Sequence, residues 1–436
     1  MTIERLLGVR TATLLVVASM VGTGVFTTTG FLVADLRSAP AVLACWLVGG
    51  ISALCGALAY AEVAAALPNN GGEYQLLGRI YSPALGFVAG IVSLFVGFAA
   101  PIAASAIAFG KYLERVFPGG PSWWPPLAGV GLIVVASALH IRTVRQGSRA
   151  QDAMTFVKLL IIIAFVSGAL PELAWSRLGQ GEQSIGSAML SPPFAVGLVF
   201  VSFAYTGWNA AAYIAGETHD PGRSVPRALF GGTMVVVALY LALNVVFLGA
   251  VEPEALAGKV EVGHIAAEAM FGEGAARLMS AIIAVGLVST VGAMVLTGPR
   301  IYEAMGLDHP KMAVLAKRRA GGGPVGATIL QAGVAIAMAL SASFDALLIY
   351  VGVSLTLFSA LTAGGVFVLR AREPDLERPY RTWGHPFTTL LFLGLCAWMM
   401  VFSILERPMV VAYAAATLVV GFLAWLALGR GRRSDG

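Results

Sequence analysis

The sequence predicts an all-α integral membrane protein with twelve transmembrane helices, and two observations carry that expectation. Of its 436 residues 58% are apolar and only 12% charged, with a mean hydropathy of +0.83. Soluble domains carry about 25% charged residues, so a chain this long lacks the polar surface that water-soluble domains would need. The apolar residues are also gathered into twelve stretches near the roughly 20 residues that a span requires. These are 11–33, 39–67, 83–113, 125–140, 153–170, 192–216, 228–251, 278–305, 325–341, 344–369, 387–405 and 409–428.

Taken in order, the first stretch follows Arg5 and Arg10 but is too long for the apolar region of a signal peptide, so it reads as a span. Five stretches precede the polar loop 171–191 and five follow it, up to 369. Five is odd, so the second block enters the membrane from the opposite face. That is the inverted-repeat plan of many secondary transporters. It divides the chain into a core at 1–370, with repeats at about 11–170 and 192–369, and two further helices with a tail at 371–436, joined through the polar stretch 370–385.

An even count puts both termini on one face. Of the 28 lysines and arginines, 20 fall in loops on that face, including Arg142/Arg145/Arg149, Lys317/Arg318/Arg319 and Arg430/Arg432/Arg433. The bias predicts cytoplasmic termini in a multi-pass protein of the plasma or inner membrane. The net charge of +5 then reflects topology and contact with anionic lipid, with no nucleic-acid partner.

Composition also narrows the chemistry. Cys45, Cys55 and Cys396 all lie within spans, and the five histidines are scattered singly at loops and span ends, so neither a metal site nor a cofactor is expected. No histidine or acid cluster sits mid-span to make an enzyme. Gly321-Gly322-Gly323-Pro324 lacks the lysine and hydroxyl of a phosphate-binding loop, which disfavours a pump. No ring of carbonyls or charges suggests a channel.

The first helix of each block is interrupted at mid-depth by glycine, at Gly22-Thr23-Gly24 and at Tyr205-Thr206-Gly207. Glycine inside a helix costs about 1 kcal/mol relative to alanine, and unwound backbone survives at that depth only against protein, water or a ligand. Close helix packing is the plain alternative. If the breaks are real, the half-helix starting at Gly22 offers free N–H groups to a carboxylate. The carbonyls near Met20 and Phe203 suit an ammonium group. Opposite charges on one small molecule describe an α-amino acid.

Several motifs bear this out by resemblance. Met20-Val21-Gly22-Thr23-Gly24-Val25-Phe26 resembles the first-helix signature of the amino acid–polyamine–organocation superfamily. Ala59-Tyr60-Ala61-Glu62 with Pro68-Asn69-Asn70-Gly71-Gly72-Glu73-Tyr74 is similar to the end of its second helix and the following loop. Phe203-Ala204-Tyr205-Thr206-Gly207-Trp208-Asn209, with Glu217 and Asp220-Pro221, resembles the sixth helix of its L-type amino acid transporters, and Arg300-Ile301-Tyr302-Glu303-Ala304-Met305 the end of the eighth. The likeness runs from about Leu6 to Arg370.

The resemblance implies the leucine-transporter-like fold with broken helices 1 and 6, and a permease for neutral L-amino acids working by alternating access. By position, the Thr23 and Gly24 amides would hold the substrate carboxylate and the carbonyls of Met20, Phe203 and Thr206 its ammonium, with Gly22, Ala204 and Gly207 in the same site. The Phe203 ring would close it, while Tyr205, Trp208 and Asn209 would line or brace it; for the three aromatic residues helix packing is the alternative. L-type carriers of bulky substrates have glycine where Thr206 stands, so small to medium substrates are expected. Lys158 would occupy the sodium position of sodium-driven relatives, with Ser289 and Thr290 as partners. That implies sodium-independent exchange or proton coupling.

A cationic amino acid or polyamine carrier and a non-transporting sensor are the alternatives. Animal L-type carriers join a glycoprotein through a cysteine in the loop equivalent to 114–124. That loop has none here, so no disulfide-linked heavy chain is expected. Glu62 and Glu217, with Arg223 and Arg227 nearby in sequence, read as solvated interface charges rather than an inner gate. Residues 264–271, within the external stretch 252–277, could form a short amphipathic helix resembling a lid over the outer vestibule.

Overall fold

Serine followed by proline sets where many of the long helices begin. Ser38, Ser82 and Ser191 each accept a hydrogen bond from a first-turn amide, of Ala41, Leu85 and Phe194 respectively, and proline occupies the first or second helical position each time. The hydroxyl satisfies one of the orphan N–H groups, and proline lacks the donor that would otherwise be stranded there.

The computed structural model describes residues 8–68, 72–142, 147–181, 184–319 and 323–428. Asn69, Asn70, Gly71, Gly321, Gly322, Arg5, Leu6, Arg145, Arg430, Arg432 and Arg433, and the side chains of Arg142, Arg149 and Glu217, lie outside the described residues. Among those described the architecture is all-helical: α1 (Val9–Met20), α2 (Gly24–Leu36), α3 (Ala39–Ala66), α4 (Gly72–Ile80), α5 (Pro83–Val92), α6 (Ala100–Val116), α7 (Trp124–Arg142), α8 (Gly147–Ala169), α9 (Ile185–Met189), α10 (Pro192–Ala204), α11 (Pro221–Ala250), α12 (Pro253–Leu256), α13 (Val262–Asp308), α14 (Val325–Ser341), α15 (Phe344–Arg372), α16 (Phe387–Glu406) and α17 (Pro408–Leu428).

Eight of these helical stretches are long and apolar enough to cross a membrane, nine when α1 and α2 count as one bent span. α10 and α14 are apolar but shorter, and α8 occupies the fifth expected stretch. α5 and α6 form one stretch through a π-helical segment, Ser93–Ala99. Pro101 explains the widening: its ring crowds the carbonyl four residues back, and the Ala100 N–H bonds to the Phe95 carbonyl five residues back. α13 merges two helices at Gly272 (φ 82), so the expected 264–271 helix exists as the outer arm of a longer element.

α11 lies along both α1 and α3, while α10 packs on α2, α3 and α15 and α13 on α6. α3 and α15 each have 67% of their apolar window buried, whereas α17 has 11%, which leaves the last helix at the periphery of the bundle.

Glu62 corrects the expectation of a solvated charge. It is 2% exposed near the end of α3, and its carboxylate accepts both Nε and Nη2 of Arg370 at 2.8 Å and the Thr382 N–H at 2.6 Å. Arg378 stands 3.8 Å away. Two guanidinium groups and a backbone donor supply what water would otherwise give a buried carboxylate, so this charge ties α3 to α15 and the α15–α16 connection.

Two glycines let the breaks approach each other. α1 ends at Met20, Val21 turns to ψ 81, the Gly22 N–H bonds to the Met20 carbonyl at 2.8 Å, and α2 resumes at an angle of 42°. A Cβ on Gly24 would lie 2.3 Å from the Ala204 Cα at the end of α10. Reciprocally, Gly207 has φ +99, and a Cβ there would lie 2.7 Å from the Ser19 backbone at the end of α1.

Gly24→Ala is therefore expected to lower stability in detergent by about 1–3 kcal/mol through overpacking. Gly131→Ala, on α7 with open space around it, is expected to be neutral or to gain up to about 1 kcal/mol of helix propensity. Thermal unfolding of the two variants reads the difference directly.

Candidate functional site

The two breaks bring together most of the residues singled out from the sequence. After Ala204 the chain leaves α-geometry: Tyr205 N–H still reaches the Val201 carbonyl, Thr206 N–H takes Phe203 at 3.0 Å, and past Gly207 the chain continues as the 3-10 segment Ala210–Glu217. Within α2 the first turn closes with Phe26 N–H on the Thr23 carbonyl at 3.0 Å. The Thr23 and Gly24 amides ahead of it belong to the group that helix geometry leaves without intrahelical acceptors. A positive dipole end is thus directed at the place where α10 stops.

Two of the expected carbonyls, those of Met20 and Phe203, already have donors within the chain. Met20 O accepts the Gly22 N–H and also the Tyr240 hydroxyl at 2.6 Å. Phe203 O accepts the Thr206 N–H and the Thr206 Oγ1 at 2.7 Å. Tyr240, fully buried on α11, also lies 3.3 Å from the Ala204 carbonyl, so one phenol spans both breaks. Tyr240 and Asn244, one turn further along α11, are absent from the residues that the sequence motifs single out. Their signal was available: polar side chains in the middle of the stretch 228–251, where a lipid-facing position would be unfavourable. Asn244 donates to the Tyr240 carbonyl at 2.8 Å and pairs with the Thr29 hydroxyl on α2.

The aromatic residues flank the breaks. Phe203 is buried within the core. Tyr205 packs with Trp46 and Tyr240, ring centroids 5.7 and 5.2 Å away, and donates to the Trp46 carbonyl at 3.2 Å. Trp208 meets Tyr60 edge-on at 4.8 Å and Phe392 at 6.1 Å.

Asn209 reaches α4 and the 3-10 segment. Its amide donates to Glu73 Oε1 at 3.0 Å and to the Tyr213 hydroxyl at 3.1 Å. Tyr60 on α3 donates to the same Oε1 at 3.0 Å and Tyr213 to Oε2 at 2.5 Å. Glu73 therefore joins α4, α3 and the 3-10 segment through neutral donors. One residue along, Tyr74 donates to Asp308 at the end of α13 at 2.6 Å. Burial, and then this carboxylate partner, raise the Tyr74 phenol well above its ordinary range. Arg79 closes a bidentate pair with Glu373 at 2.6 and 2.7 Å. The sequence placed Glu73 in a motif without a role; an acid at the start of a short helix was the available signal.

On the other face, Tyr112 donates to the Phe26 carbonyl at 2.9 Å, the Gly258 N–H to the Gly30 carbonyl at 2.8 Å, and α12 packs on α2. A cavity of ≈ 30 Å³ lies beside the first break, lined by Gly22, Phe26, Lys158, Phe165, Leu243 and Thr290 among others. Such a volume has room for about two water molecules. Lys158 Nζ stands 3.5 Å from Thr290 Oγ1, and its stem passes Gly286 on α13; Ser289 is buried on the same helix. Among the described residues no group of three or more His, Cys, Asp or Glu could hold a metal.

A family model described as amino acid permease matches residues 7–425. The chain belongs to the amino acid permease family. The permease is 27% identical to the mouse large neutral amino acids transporter small subunit 2, over 96% of this chain and 80% of that one. It is 27% identical to a serine/threonine exchanger of Bacillus subtilis (strain 168), over 90% and 89%. A mouse b(0,+)-type amino acid transporter 1 is 25% identical over 93% and 84%.

Glu73 yields a test in the permease. Removing the shared acceptor takes away three hydrogen bonds, whereas Tyr213→Phe removes two, one to Glu73 and one from Asn209, and leaves Glu73 its other donors. Glu73→Ala is expected to destabilise by about 2–4 kcal/mol and Tyr213→Phe by about half as much, read as thermal unfolding in detergent.

Proposed function

We propose that this permease is a secondary transporter of small to medium neutral L-amino acids, working by alternating access without sodium, as an exchanger or with proton coupling. The observation that carries the reading is the direct crossing of two broken helices, Gly24 on Ala204 and Gly207 on Ser19. Twelve spans in a five-plus-five inverted repeat with α16 and α17 added, and cytoplasmic termini in a plasma or inner membrane, complete it. The similarity to a serine/threonine exchanger supports the size preference.

In this reading the Thr23 and Gly24 amides take the carboxylate, and the ammonium competes for carbonyls that the protein itself fills when empty. The Tyr240 hydroxyl on Met20 and the Thr206 hydroxyl on Phe203 act as place-holders that a substrate ammonium displaces. The net gain is the difference between a charge-assisted and a neutral hydrogen bond, about 1 kcal/mol each. Thr206 carries a branched side chain at the crossing, which takes volume from the substrate. The burial of Cys45, Cys55 and Cys396 supports the reading that no partner is joined by disulfide.

A thermal-shift screen of the purified protein tests the substrate class, since a ligand at 100 times its Kd stabilises by about 2.7 kcal/mol. Alanine, serine, threonine and valine are expected to stabilise it. Larger shifts from tryptophan or from a polyamine would overturn the assignment, and counterflow of labelled amino acid in proteoliposomes distinguishes a carrier from a sensor.

Lys158, beside the cavity at Gly22, stands as a fixed cation in place of sodium. Uptake is expected to persist when choline replaces sodium and to fall at least tenfold in Lys158→Ala. Loss of uptake in choline, or full activity of the variant, would overturn the coupling.

A further inference from the structure

A second cleft, of ≈ 20 Å³, opens where α7, α13 and α14 come together on the face of the chain termini. Its lining includes His140 at the end of α7, Val295, Pro299 and Arg300 on α13, and Arg318 and Thr328 at and after the loop into α14. It is distinct from the helix crossing and shares no residue with it.

The charges in and around the cleft do not cancel. Arg318 places Nε and Nη2 on the Glu303 carboxylate, the second at 2.7 Å, so Glu303 is neutralised and exerts little repulsion on an incoming anion. Arg300 is exposed, one residue past Pro299, and makes no hydrogen bond or ion pair among the described residues. Lys317 and Arg319 flank Arg318 and are exposed as well. His140 donates from Nδ1 to the Ala136 carbonyl at 2.7 Å. The local balance is positive, with one planar guanidinium unengaged.

The surroundings are apolar and outward-facing. Val135 and Leu139, on the stretch of α7 leading to His140, are each 57% exposed, and Ile329, next to Thr328 on α14, is 60% exposed. A cationic cleft at the rim of an apolar flank matches a molecule with an anionic head and hydrocarbon tails. A free inorganic anion would leave Val135, Leu139 and Ile329 unused. Guanidinium groups also bind phosphate oxygens through paired N–H donors.

We propose that this cleft binds the phosphate of an anionic phospholipid, with Arg300 as the principal donor and the acyl chains along α7 and α14. The proposal rests on the membrane reading above, with this face against the anionic leaflet, but not on the substrate assigned there.

Native mass spectrometry of the full chain in detergent, titrated with phosphatidylglycerol or phosphatidylcholine, tests it. The wild type is expected to retain phosphatidylglycerol in preference to phosphatidylcholine. Arg300→Gln is expected to weaken that retention about fivefold, the factor for about 1 kcal/mol per basic residue at an anionic surface, and Arg300→Lys to recover part of it. Arg277→Gln, on the opposite face and paired with Glu273, is the control and is expected to bind like wild type. Equal retention by wild type and Arg300→Gln, or no preference over phosphatidylcholine, would overturn the site. Displacement of the lipid by millimolar inorganic phosphate would overturn it in favour of a free-anion site. The amino acid thermal shift, measured on the same samples, stays unchanged in Arg300→Gln and so keeps this outcome separate from that of the transport reading.

Discussion

The contact of two interrupted helices governs the rest of this structure. α2 starts where α10 stops, and the 3-10 segment starts where α1 stops, with glycine on one side of each contact. Because the backbones touch, the peptide groups released by the interruptions face protein rather than lipid, the condition under which non-helical backbone is tolerated at membrane depth. The surrounding helices serve that condition. α11 lies along α1 and brings Tyr240 to both breaks, while α3 contributes Trp46 behind them.

A site of this kind fills its own hydrogen-bonding capacity when empty. Met20 and Phe203 each accept two donors from within the chain. At those two carbonyls a ligand's contribution is the difference between two sets of bonds. On the transport reading proposed above, selectivity would depend on geometry and volume more than on raw affinity, with Thr206, whose hydroxyl bonds the Phe203 carbonyl, bearing on both.

The broad architecture was legible in the chain because lipid imposes a simple code. Apolar stretches of span length, serine–proline starts and glycine interruptions all follow from backbone hydrogen bonding in a solvent that offers none. The expected stretches are largely helical where the structure describes them, apart from the breaks at 21–23 and 205–209. Three features escaped. Tyr240 and Asn244 were hidden in a stretch read only for its hydropathy. Glu62 reads as a solvated charge in the sequence because its partners, Arg370 and Arg378, lie some three hundred positions away. Glu73 was invisible as a hub because its donors Tyr60, Asn209 and Tyr213 come from two other elements. Local pattern reports where a helix runs and which atoms it leaves unsatisfied; it does not report which distant groups satisfy them.

The short helix α4 has a consequence of its own. Within a few residues it is moored through Glu73 to α3 and the 3-10 segment, through Tyr74 to α13 and through Arg79 to α15. Elements from both halves of the chain converge on one rigid nine-residue rod. A displacement of that rod therefore loads contacts to four other elements at once.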